Sequence, residues 1–275
     1  MFRRTWERFP FSAPAEPTAE FWPDAIGRVK QTRPDFLFLA EVYWDLEARL
    51  QTMGFDYTYD KRLYDFLITS NFAEVQRHLA SHGPRFTKAS AHFLENHDEA
   101  RVAAVLEPKE NRAVALVILG LPGLRLLHEG QLGGARVRTP IQLGRRPQES
   151  PVPEIAQSYD QLLHVVKDSA VGQGNGIVLP PREAWPGNPT AENFVTVQWQ
   201  AKPPEFDLVA VNLASHRSQC FAPLSIGNLP DHNWSLRDLL SDERHERRGD
   251  DLNTQGLYLD LPAFGAQIFH FEPTH

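Results

Sequence analysis

Two short segments put acid, imidazole and carboxamide groups where chains often carry chemistry. Glu41 ends the apolar run Asp35-Phe36-Leu37-Phe38-Leu39-Ala40, and Glu95-Asn96-His97-Asp98 ends the run Ala91-His92-Phe93-Leu94. A carboxyl at the end of a buried strand can act as a general acid, because apolar surroundings and a second carboxylate both raise its pKa. The plainer reading of Glu41 is a strand-end glutamate that caps a helix or meets solvent. Asp98 and His97 together can grip vicinal sugar hydroxyls through charge-assisted hydrogen bonds. His92, His97 and Asp98 are also metal-ligand types, although His92 lies on the strand and no spacing such as His-Glu-x-x-His occurs. A loop-start cluster of this kind can also simply satisfy backbone groups. The residues alone leave the sugar, metal and structural readings open. Tyr43, Trp44, Tyr57 and Tyr59 offer faces that could stack on sugar rings, with core packing as the competing use.

These groups need elements to hold them, and the hydrophobic pattern supplies a series. Trp22 to Lys30 has helical spacing, with Trp22, Ile26 and Val29 on one side. The run from Asp35 to Ala40 has the length and continuity of a strand buried on both faces, as in a parallel sheet. Leu46 to Met53 predicts a helix stopped at Gly54, and Phe55 to Tyr59 a strand. Lys61 to Thr69 and Phe72 to Ser81 predict helices, with His82-Gly83-Pro84 as punctuation. A strand at Ala91 to Leu94, a helix at Asn111 to Gly120 and a strand at Leu124 to His128 follow. Four strand-then-helix units argue for a parallel sheet with helices outside it. A whole (β/α)₈ barrel takes about 250 residues, so four units amount to half of one.

After a polar, proline-bearing stretch at Gln148 to Pro153, Ile155 to Lys167 predicts one more helix. The pattern then changes to short strands between turn signals: Phe194 to Trp199, Asp207 to Leu213, Ser218 to Leu224, Gly256 to Leu261 and Gln267 to Phe271. With no helices between them, these read as a small antiparallel all-β sandwich. The expected division is 1–170 and 171–275, with Gly172-Gln173-Gly174-Asn175-Gly176 as a flexible linker. That loop lacks the strand before it and the lysine after it that a phosphate loop needs. Asp242 to Arg248 reads as a solvated, charged surface segment.

Composition narrows the class. The 275 residues are 41% hydrophobic, enough for a sizeable core, and the net charge of −7 argues against a nucleic-acid surface. The single cysteine, Cys220, excludes an intrachain disulfide and fits a reducing compartment. Residues Met1 to Arg8 are charged but lack an apolar core before Pro10, so they do not read as a signal peptide. The most apolar stretch, Ala113 to Leu121, is too short to cross a membrane. A cytoplasmic protein is the expectation.

Phe38-Leu39-Ala40-Glu41-Val42-Tyr43-Trp44 resembles the strand-five motif of the α-amylase superfamily, and Phe93-Leu94-Glu95-Asn96-His97-Asp98 resembles its strand-seven motif. Leu121 to Gln131 resembles the segment entering strand eight. The resemblance implies an α/β fold, the C-terminal half of a (β/α)₈ barrel followed by the antiparallel domain. It implies a retaining glycosidase acting on α-linked glucans or oligosaccharides, without cofactor or metal. Glu41 would be the acid/base and Asp98 the transition-state stabiliser. Asn96, His97, Tyr43 and Trp44 would meet the substrate, with Arg136 and Arg138 facing the cleft. The family's nucleophile, an Asp in a Gly-Phe-Arg-x-Asp pattern, does not occur. Residues Phe2 to Trp22 resemble the stretch that follows it, so strands one to four would lie upstream of Met1.

Three hypotheses follow. The first is an α-glucan-acting enzyme fragment. The second is a catalytically incomplete carbohydrate-binding or structural protein that pairs with an N-terminal half-barrel chain. The third is a metal-dependent hydrolase built on His92, His97 and Asp98.

Overall fold

Strands and helices alternate through the first part of the chain. The structure, a computed structural model, describes residues 19–43, 45–140, 142, 145 and 147–274. Helix α1 (Phe21–Thr32) precedes β1 (Leu39–Ala40), α2 (Glu47–Thr52), β2 (Tyr57–Tyr59), α3 (Lys61–Ile68) and α4 (Phe72–Lys88). There follow β3 (Ser90–His92), α5 (Val102–Val105), α6 (Pro108–Gly120), β4 (Leu124–Arg125) and α7 (Pro153–Asp168). The four strands form one parallel sheet in the order β1-β2-β3-β4. Gly54, at φ 103°, ends the α2 turn as a left-handed stop. The Asp60 side chain caps α3 by accepting from the Leu63 N–H at 3.2 Å.

Two expectations fail here. The run before Glu41 is not buried on both faces. Only Leu39 and Ala40 pair, and they pair on one side, with β2. Phe36 and Leu37 are 52% and 61% exposed. Among the described residues β1 pairs with β2 alone and is the edge strand of this sheet. The other failure is at His82-Gly83-Pro84. Helical structure resumes beyond it to Lys88, because Gly83, at φ 69°, absorbs a kink rather than ending the element.

The rest of the chain is antiparallel. Strands β5 (Asn175–Leu179), β7 (Phe194–Gln200), β8 (Phe206–Asn212), β10 (Asn233–Asp238), β11 (Arg244–Arg248) and β13 (Ala266–Thr274) form one sheet, in the order β11-β10-β13-β8-β7-β5. Strands β12 (Leu257–Leu261), β9 (Ser218–Ala222) and β6 (Arg182–Glu183) form the second. Trp234, Phe206 and Phe271 are fully buried between them. A helix is interposed after all, α8 (Gly249–Gln255). The glycine loop is also shorter than expected, since β5 starts at Asn175. The charged segment at Arg244–Arg248 is exposed yet forms the sheet's edge strand, where charge blocks further pairing.

Helix α6 joins the two parts. Its residues from Ala113 to Gly120 are all buried, because α7 packs on it and the larger antiparallel sheet covers its far side. The Trp199 indole donates to the Gly120 carbonyl at 2.7 Å. A Cβ on Gly120 would stand 2.9 Å from a Val209 methyl, so only glycine permits this approach. The core is therefore continuous from the helix layer into β7, β8 and β13. Among the described residues, no helix is long and apolar enough to cross a membrane.

Candidate functional site

The site forms where the parallel strands end. Glu41 follows β1 directly, and the segment from Phe93 to Asp98 follows β3. Strand β2 lies between them, and its Tyr59 packs beneath the site against Phe93, ring centroids 4.9 Å apart, with Tyr64 stacked on Phe93 at 5.2 Å. Two sheet spacings separate β1 from β3, roughly 9.6 Å of backbone. The side chains nonetheless converge: Glu41, His97 and Asp98 each offer an atom within 4.8 Å of the others. His97 Nε2 is 3.3 Å from Asp98 Oδ2 and 3.9 Å from Glu41 Oε1.

Each member has support. The Tyr43 hydroxyl donates to Glu41 Oε1 at 2.7 Å. Burial, then the hydrogen bond and negative charge of Glu41, push the Tyr43 phenol well above its ordinary range. The Tyr59 phenol is raised by burial and by the charges of Glu41 and Asp98. Arg138 Nη2 reaches to 3.9 Å from Asp98 Oδ1. Glu41 itself is open to solvent, and among the described residues Tyr43 and His97 are its polar neighbours.

Asn96 was expected to touch sugar. It is buried under the loop instead, where Oδ1 accepts from the N–H groups of Asp98 and Glu99 at 2.9 and 3.0 Å. This Asx turn sets the direction in which His97 and Asp98 leave the strand. Tyr59 is likewise a core residue, and Tyr57 packs on the same cluster. Arg136 is exposed on the segment after β4, and its N–H is held by Glu149 Oε2 at 2.8 Å. Trp44 lies outside the described residues.

The metal set His92, His97 and Asp98 does not come together. His92 is fully buried, with Nδ1 3.3 Å from Asp60 Oδ2 and Nε2 3.0 Å from the Pro122 carbonyl. His78 Nε2 stands 2.8 Å from the other oxygen of Asp60. Burial favours the neutral acid of Asp60, but the two imidazoles outweigh it and hold the carboxyl far below its usual range. This His-Asp-His cluster ties α4, β2 and β3 together under the site.

A second buried network was also missed. Glu95 is fully buried, accepts from the Val102 N–H at 2.6 Å and pairs with Arg101 Nη1 at 2.7 Å. Arg101 Nη1 also donates to the Glu129 carbonyl at 2.7 Å and lies 2.9 Å from His128 Nδ1. The pair thereby fastens the segment after β3 to the segment after β4. Asp60 had a usable signal, since it ends a strand as Glu41 does. Glu95 had one of the same kind, a charge directly after the apolar run from Ala91 to Leu94.

No protein-family model matches this sequence, and no curated protein does. Solved structures do. An α-amylase from Geobacillus thermoleovorans, complexed with acarbose, superposes with a TM-score of 0.68 at 17% identity, over 92% of this chain and 57% of that one. A maltogenic α-amylase from Thermotoga neapolitana gives 0.65 at 16% identity, over 99% of this chain and 64% of that one. A debranching enzyme from Nostoc punctiforme, soaked with acarbose, gives 0.63 at 18% identity, over 92% and 54%. The chain spans a little over half the length of these proteins. Together with the parallel and antiparallel sheets described above, these matches show that this chain has part of the α-amylase fold.

Proposed function

We propose that this chain carries part of the active site of an α-glucan-acting glycoside hydrolase of the retaining type. The observation behind the reading is the convergence of Glu41, His97 and Asp98 at the ends of parallel strands. Glu41 protonates the glycosidic oxygen and later serves as base, while Asp98 and His97 grip hydroxyls of the distorted ring. The attacking carboxylate comes from outside this sequence, which lacks the Gly-Phe-Arg-x-Asp pattern.

In this reading residues 1–170 form strands five to eight of a (β/α)₈ barrel, and residues 171–275 form the C-terminal domain. Among the described residues β1 pairs on one side only, and Phe36, Leu37 and Leu39 in and before it are exposed, which suits the strands of an N-terminal half-barrel. The second reading is saccharide binding without turnover, favoured by the missing nucleophile.

The test is calorimetric titration with a maltooligosaccharide, beside a chromogenic α-glucoside assay. Binding at millimolar concentration or better, weakened at least tenfold in Asp98→Asn, supports the sugar site. Absence of binding at those concentrations refutes it. Turnover by the isolated chain that disappears in Glu41→Gln would show that the chain is complete, contrary to the account of the nucleophile.

A further inference from the structure

We propose that Glu41, His97 and Asp98 also form a site for a divalent transition metal, zinc in particular. Bonds of about 2.0–2.1 Å place the ligand atoms of tetrahedral zinc about 3.3 Å apart. His97 Nε2 and Asp98 Oδ2 already stand at 3.3 Å. Glu41 Oε1, at 3.9 Å from the same nitrogen, is on an exposed side chain that closes the remainder by a small rotation. All three donor atoms lie within 4.8 Å of one another.

The donor chemistry selects the ion. Calcium and magnesium take shells of oxygen, whereas one imidazole with two carboxylates suits zinc or cobalt. Three protein ligands on an open surface leave the fourth position to water. The ligands are also held in place, as second-shell contacts at metal sites require. Asn96 fixes the turn that carries His97 and Asp98, and Tyr43 donates to Glu41 at 2.7 Å.

The charge balance points the same way: two carboxylates, Glu41 and Asp98, meet a single imidazole, His97. Arg138 Nη2 stands 3.9 Å from Asp98 Oδ1. A doubly charged ion would offset both carboxylates. It would occupy the atoms that the sugar reading assigns to hydroxyls, so zinc and saccharide would compete.

The experiment uses the whole chain, stripped with a chelator, and no saccharide, so its outcome is independent of the sugar reading. Cobalt(II) is added and its visible d–d bands are followed; zinc chloride is titrated calorimetrically in parallel. The expected result is one equivalent bound with the intense bands of four-coordinate cobalt. His97→Ala abolishes the bands. Asp98→Asn and Glu41→Gln each weaken zinc at least tenfold. His164→Ala, an exposed histidine on α7, changes nothing. Far-UV circular dichroism verifies folding, and Glu41→Gln, confined to an exposed carboxyl, keeps the test open if His97→Ala misfolds. Zinc affinity unchanged in His97→Ala and Glu41→Gln, or only the weak bands of six-coordinate cobalt, overturns the proposal.

Discussion

Replacing Arg101 with leucine tests how the two site loops are held. The guanidinium is buried, and Nη1 donates to Glu95 Oε1 and to the Glu129 carbonyl, both at 2.7 Å. Nε reaches the Val137 carbonyl at 3.4 Å. Without Arg101, the fully buried Glu95 retains the Val102 N–H at 2.6 Å and His128 Nδ1 at 3.4 Å. A buried charge that loses its partner costs about 3–5 kcal/mol. Arg101→Leu should therefore lower unfolding free energy by about that amount. The double replacement Glu95→Leu with Arg101→Leu removes both charges and leaves mainly the Val102 N–H and the Glu129 carbonyl without their partners, about 1–3 kcal/mol. The two changes are thus strongly non-additive, with a coupling of about 2 kcal/mol or more in the double-mutant cycle. Urea unfolding followed by tryptophan fluorescence and circular dichroism measures all four proteins. A loss under about 1 kcal/mol in Arg101→Leu, or a double variant equal to the sum of the singles, would refute the pairing as the anchor.

Three further expectations come from other parts of the molecule. Asp60 has a folded pKa depressed below the unfolded value of about 3.9, so its contribution is present above that pH and lost as pH falls toward the folded value. Asp60→Asn should flatten the acid limb of stability against pH, read as the urea midpoint from about pH 5 downward through the unfolded carboxylate range; an unaltered slope there rejects the assignment. His270 behaves in the opposite sense. Its hydrogen bond to Asp207 at 2.6 Å, opposed by burial and aided by the charges of Asp207, Glu272 and Glu205, raises its pKa. Its contribution is complete below about pH 6.5 and fades as pH rises through the raised folded value, so His270→Gln should remove that alkaline loss. Gly249→Ala would set a Cβ 1.9 Å from the Leu229 carbonyl oxygen and 2.3 Å from that of His232, at a cost of about 3 kcal/mol. Gly227→Ala, with nothing within 4 Å, should stay within about 0.5 kcal/mol by the same thermal or urea measurement.

The sequence was most legible where a pattern is local. The helices at Phe21–Thr32, Lys61–Ile68, Pro108–Gly120 and Pro153–Asp168 carry their periodicity and punctuation within a few turns. Glu41 and Asp98 stand out because a charge ending an apolar strand is itself a local signal, and the fold brings their side chains together. Strands β10 and β11 were not legible, since Arg244–Arg248 is dominated by charge and Asn233–Asp238 is held as a strand by pairing with β11 and β13. The role of Asn96 was misread for a related reason. Its carboxamide turns back to the loop's own N–H groups, a use that its place beside His97 and Asp98 does not reveal. Asp60 finds its partners on α4 and β3, and only the folded sheet brings His78 and His92 to one carboxylate.

The two halves of the site are unequally supported, and that inequality has a consequence. His97 and Asp98 extend from β3, which is paired on both sides and locked by the Glu95–Arg101 and Asp60–His92 contacts. Glu41 extends from a two-residue edge strand whose preceding Phe36 and Leu37 lie in water. A buried Leu or Phe gains about 1.5–3 kcal/mol over an exposed one. Covering Phe36, Leu37 and Leu39 would therefore stabilise β1 by several kcal/mol, on the same estimate, and would do almost nothing for β3. The separation of Glu41 from Asp98 is thus the part of the geometry that responds most to what packs against Phe36, Leu37 and Leu39.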